Sequence, residues 1–151
     1  MLAYWKMVAA ETQALMILPP IAMGIVIGTY ELILIHRDEN YTGSHWIGHG
    51  LHTFIPIFLG LLISFNVPLF LSMFGDSLPA WIQNEIYIRL AIALIIAIKV
   101  RAVSAVVPGA AGRGMREGWI HTFVVGIAVA VAPYVWPFIQ PFAPIWLGGG
   151  N

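Results

Sequence analysis

Four stretches of roughly twenty residues, each nearly free of charged side chains, constrain this chain more than any other feature. They cover residues 14–35, 51–74, 81–98 and 119–139. A bilayer core about 30 Å thick is crossed by roughly 20 apolar residues of helix, so each block is long enough to be read as a span. The blocks show no alternation of apolar and polar positions, and a closed barrel needs many short alternating strands, which excludes a β-barrel. The expected fold class is an all-α integral membrane protein. It is a four-transmembrane-helix bundle forming one membrane domain over residues 1–151, with a short N-terminal interfacial lead-in and a Pro-rich C-terminal tail.

Composition agrees. Of the 151 residues, 60% are apolar and 9% are charged, where a soluble domain carries about 25% charged residues. Mean hydropathy is +0.86. Seven basic and seven acidic residues leave no basic stripe, which excludes a nucleic-acid binder. Cysteine is absent, so thiol chemistry and disulfides are excluded too. The glycine-rich stretch V-P-G-A-A-G-R-G-M-R-E-G lacks the G-x-x-x-x-G-K-[ST] pattern, so no nucleotide site is expected.

Depth and orientation follow from the flanks. Tyr4 and Trp5 suit the headgroup zone, and no small-x-small cleavage site follows the first block. Pro19-Pro20 should kink the first span or restart its helix. Lys99, Arg101, Arg113 and Arg116 sit between blocks three and four, and Arg37 between one and two. The excess of Lys and Arg predicts loops 36–50 and 99–118 on the cytoplasmic side of a cell inner membrane or organellar equivalent, with both termini outside. Trp46 and Trp119 then mark the inner surface, and Trp5, Trp81, Trp136 and Trp146 the outer one. Pro133, Pro137, Pro141 and Pro144 predict a fourth span that kinks or ends early, a tail lying in the interface, and fraying at Gly148-Gly149-Gly150.

Lipid is as apolar as leucine, so helices in it associate through small residues and polar contacts. Gly24-x-x-x-Gly28 offers a groove on span one; Gly126 and Ala130 on span four, and Ala93 and Ala97 on span three, offer others. These are expected to pack within the bundle, with lipid, other membrane subunits or copies of the chain outside.

Five histidines carry most of the chemical interest: His36, His45, His49, His52 and His121, all placed on the inner side by this topology. In S-H-W-I-G-H-G-L-H, spacings of four and three put three imidazoles on one helical stripe, with Ser44 as a candidate N-cap. Two of them, joined by His36, Asp38 or Glu39 and by His121 from across the bundle, could hold a transition metal or a haem b. Interfacial histidines bonded to water and headgroups are an equally weighted alternative. Glu31, about one turn below the inner surface, is a candidate proton carrier or ligand, or else the partner of Lys99 or Arg101. Arg89 follows Glu85 by four residues, the order of a helical ion pair, and should snorkel outward. Asn66, two residues before Pro68, could bond across helices or line a path toward the histidines; Pro68 frees a backbone carbonyl near it.

A single histidine box does not match the repeated boxes of membrane di-iron desaturases, and Glu31 lies too near the inner end for the mid-membrane glutamate of small multidrug transporters. In size, and in drawing histidines from different spans, the chain is similar to the haem-bearing anchor subunits of succinate dehydrogenase, a likeness of about a dozen residues that identifies no family. Three functional expectations stand. The first is an accessory subunit of a respiratory or oxidative membrane complex, with no catalytic residue of its own and a histidine cluster that binds metal or haem or borders a quinone or proton path. The second is a homo-oligomeric channel or carrier shaped by Gly24, Gly28 and Asn66 and gated by Glu31. The third is a structural scaffold.

Overall fold

A computed structural model describes residues 14–38, 46–104, 118–147 and 149. Among these the regular structure is helical: α1 (Leu18–Asp38), α2 (Trp46–Phe65), α3 (Val67–Phe74), α4 (Glu85–Ser104) and α5 (Trp119–Ile139), with short 3-10 turns at Gly75–Ser77, Gln140–Phe142 and Ile145–Leu147. The long helices α1, α2, α4 and α5 pack around one core; α5 touches the other three, and its closest partner is α4.

The expectation of four membrane spans is overturned. Among the described residues one helix, Trp119–Phe142, is long and apolar enough to cross a bilayer, and a second crossing requires counting a bent pair, Phe54–Phe65 with Val67–Ser77, as one span. Each shortfall has a local cause. The third block does not begin its helix at Trp81: Asn84 accepts the Ile86 N–H through Oδ1 at 2.9 Å and starts α4 at Glu85. Glu85, Arg89, Lys99 and Arg101 then fall within its twenty residues, too many charges for a span. The first block gives an apolar helix of Leu18–Ile33 only, roughly 24 Å at 1.5 Å per residue. The second block breaks at Asn66 with a bend of 57°.

The prolines act through position. Pro19 and Pro20 fall in the first turn of α1, where backbone N–H groups lack intrahelical acceptors anyway, so they start the helix instead of kinking it. Pro133 and Pro137 do not end α5, which continues to Ile139. Their spacing of four confines the lost bonds to one line along the helix, at the carbonyls of Val129 and Pro133. The tail folds back so that the Ile145–Leu147 turn meets α1, and the Gly149 N–H donates to the Pro144 carbonyl at 3.0 Å. Trp136, expected at the interface, is buried in the core with its ring edge-on to Phe65.

Small residues set the helix spacing. A Cβ on Gly126 would sit 2.2 Å from the Ala93 carbonyl oxygen, and one on Gly60 2.7 Å from the Ile96 side chain. On α1, Gly28 lies under the Phe54 ring, whereas a Cβ at Gly24 would meet only ordinary contacts at 3.5 Å and beyond. Both glycines of the sequence groove therefore face α2. Ile57, Leu61, Val125 and Val129 fill the centre. The outer surface is apolar as well: Ile25, Ile33, Leu90, Ile95, Ile127 and Phe138 are all exposed.

These distances rank two substitutions. Gly126→Ala pushes a methyl group into backbone and should cost about 1–3 kcal/mol by forcing α4 and α5 apart. Gly24→Ala should be neutral or slightly stabilising. Thermal melts of both variants in one detergent check the order, and equal melting temperatures would contradict the packing described.

Candidate functional site

Two polar stations lie at opposite ends of the bundle. The first joins α1 to α5. Glu31 follows Tyr30 on α1 and points inward, so that its side chain is 0% exposed. His121 is the third residue of α5, whose first turn opens at Gly118 without a side-chain cap. Its Nε2 lies 2.7 Å from Glu31 Oε2, and its side chain is 24% exposed. A contact of that length needs one proton between the two atoms, held by the imidazole nitrogen or by the carboxyl group. The pair thus connects a fully buried carboxyl to an imidazole that reaches the surface.

Neighbouring groups frame the pair. The Tyr30 ring centroid is 6.2 Å from that of His121. Thr122, fully buried, turns its hydroxyl back to the Trp119 carbonyl at 3.0 Å. Trp119 stacks on Phe123, and the Arg101 guanidinium lies over the Trp119 ring, 4.2 Å from its centroid. The structure brings Glu31 to His121, a histidine 90 positions away, as the reading of Glu31 beside the histidines expected.

The remaining histidine expectations fall largely beyond description. His45 lies outside the described residues. His36 and Asp38 belong to α1, and His49 and His52 to α2, but their side chains lie outside the described set. Among the described residues, no group of three His, Cys, Asp or Glu side chains converges on one point.

The second station forms where α2 breaks. Pro68 has no N–H for the Ser64 carbonyl four residues earlier. Arg89 of α4 supplies the donor instead: its Nη1 donates to the Ser64 carbonyl and approaches Ser64 Oγ at 3.3 Å. Its Nη2 donates to Glu85 Oε2 at 2.9 Å, and its guanidinium lies 4.9 Å from the Tyr134 ring centroid. Arg89 is thus a buried side chain, 5% exposed, where an outward snorkel was expected. The ion pair with Glu85 does form, and it closes one side of this buried cluster.

Asn66 satisfies the same break from the other side. Its Nδ2 donates to the Leu62 carbonyl at 2.7 Å, replacing the bond lost when its own backbone N–H turns to Ile63. It also donates to the Met16 carbonyl at 2.9 Å and accepts the Met16 N–H at 2.7 Å. Asn66 therefore ties the entry of α1 to the bend instead of lining a path to the histidines. A cavity of about 450 Å³ opens beside it, bordered by Arg89, Tyr134, Trp136 and Gln140. Sequence reading anticipated the freed carbonyl but not its donor. Ser64 and Tyr134 carried no signal beyond the offset of four from Pro68 for the former.

Asn66→Ala removes three hydrogen bonds, two of them to Met16 at the α1 entry, and should destabilise the fold by about 1–3 kcal/mol. Hydrogen exchange should show the loss first at residues 16–18. Protection there equal to the parent chain would show that Asn66 does not hold the entry.

Comparison with known proteins adds no assignment: no family model, no curated protein and no solved structure matches this chain.

Proposed function

We propose that this chain is a small integral-membrane subunit of a larger membrane assembly, and that Glu31 and His121 form its proton-handling station. The observation that carries the reading is the 2.7 Å contact between a fully buried carboxyl and a partly exposed imidazole. A proton taken up at the imidazole passes to the carboxyl through one hydrogen bond, and the imidazole then rebinds from outside. An ionisable group in an apolar interior is costly unless it is paired, and such groups mark proton relays in membrane proteins. The apolar exterior supports the location. Side chains such as Ile33, Ile95 and Phe138 stand exposed around the bundle, and contiguous apolar surface of that kind is covered by lipid or by other subunits.

The test separates transfer from packing. Glu31→Gln keeps the size of the side chain and an acceptor for His121, so it should lower stability only modestly, by about 1–2 kcal/mol. Proton movement should nevertheless fall by at least tenfold. Infrared difference spectra of the purified assembly should contain a carboxyl band sensitive to exchange into heavy water, absent in Glu31→Gln and shifted in His121→Asn. A band that persists in Glu31→Gln belongs to another group, and proton uptake unchanged in both variants would reduce the pair to a structural clasp. Metal analysis and an absorbance spectrum of the same sample test the cofactor expectation for His36, His45, His49 and His52. Stoichiometric metal or haem would replace proton handling with cofactor binding at this end.

A further inference from the structure

A second feature lies on the outer face between α2 and α4. Ile55, Leu59 and Ile63 form one wall of a groove, and Ile92 and Ile95 form the other. Each set repeats at three or four residues and so makes a continuous stripe on its helix. Gly60 forms the floor, where the absence of a side chain lets Ile96 cross close to α2. The volume is about 320 Å³. Ile55, Leu59, Ile63 and Ile95 are each half-exposed or more, so the groove is open along its length.

Polarity is confined to one end. The two helices run antiparallel, since Ser64 meets Arg89 and Gly60 meets Ile96. Lys99, the next residue on the α4 stripe after Ile92, Ile95 and Ile96, therefore stands at the Ile55 end. It is exposed and makes no ion pair with any described residue. Arg89 is engaged with Glu85, Ser64 and Tyr134, and Arg101 lies over Trp119.

We infer that this groove is a binding site for one acyl chain of a phospholipid whose anionic headgroup sits on Lys99. The eight helical steps from Ile55 to Ile63 give roughly 12 Å of helix, a length that seats part of an acyl chain. Apolar walls remove the chain from competing contacts, while the lysine stem extends along the groove and holds its ammonium at the rim. A single basic residue near the membrane surface favours an anionic over a zwitterionic headgroup by about fivefold. The inference rests on the membrane location proposed above and adds a ligand and a site to it.

The experiment uses the full chain extracted in mild detergent, stripped of lipid, and offered phosphatidylglycerol and phosphatidylcholine of matched chains, with retention read by native mass spectrometry. The parent chain should prefer phosphatidylglycerol about fivefold. Lys99→Gln should level the ratio, Lys99→Arg should restore it, and Leu59→Trp, which fills the groove, should weaken retention of both lipids. Equal retention by the parent, a ratio unmoved by Lys99→Gln, or undiminished binding in Leu59→Trp each overturns the inference. Retention of neither lipid, with crosslinks from Ile95 to another subunit, overturns it in favour of a protein occupant. Extraction separates the two readings: release from membranes by alkaline wash without detergent sinks the location, whereas a detergent-dependent chain without headgroup preference sinks only the lipid site.

Discussion

The carbonyl of Ser64 governs much of this fold. Pro68 leaves it without a helical donor, and a buried backbone oxygen without one costs several kcal/mol in an apolar setting. Arg89 meets that need from another helix, and in doing so places a guanidinium inside the bundle. The cation in turn draws Glu85 and the Tyr134 ring. Ser64 Oγ reaches the Ala130 carbonyl of α5 at 3.4 Å. One missing N–H thus ties α2, α4 and α5 together, and Asn66 extends the knot to the entry of α1. Polar contacts between helices are individually modest; here several converge on one bend, so losing one exposes the others.

The opposite end is built differently. Glu31 and His121 each sit within a regular helix, and they meet because α1 and α5 lie side by side. From His121 to Tyr134 the two stations are separated by roughly 20 Å of α5. The intervening layer is close-packed and apolar, centred on Val125, Val129, Ile57 and Leu61. The Arg89 end is locked by fixed hydrogen bonds. At the Glu31 end a fully buried carboxyl meets an imidazole that reaches the surface.

Local features were legible from residues alone. The helical class, the i to i+4 pairing of Glu85 with Arg89, the carbonyl freed by Pro68 and the inward turn of the small residues each depend on neighbours within a few positions. The extent of the helices was not, because an apolar block and a helix are different objects. Asn84 delays one helix, Asn66 divides another, and Arg89, Lys99 and Arg101 interrupt the apolar length of α4. At α5 the two lost bonds share one line, and the helix runs to Ile139, the end read for the fourth block.

Amino-acid order by itself determined that the chain is helical, that its surface as well as its core is apolar, and where single residues interrupt or cap a helix, because these depend on composition and on backbone geometry over one or two turns. Tertiary structure alone decided partnership. Of the available cations and imidazoles it brought His121 to Glu31, it turned Arg89 inward to the Ser64 carbonyl, and it left Lys99 at the mouth of an apolar groove. Such choices depend on which helices become neighbours and how closely they approach. Glycines such as Gly126 and Gly60 settle that approach only when the opposing backbone or side chain arrives.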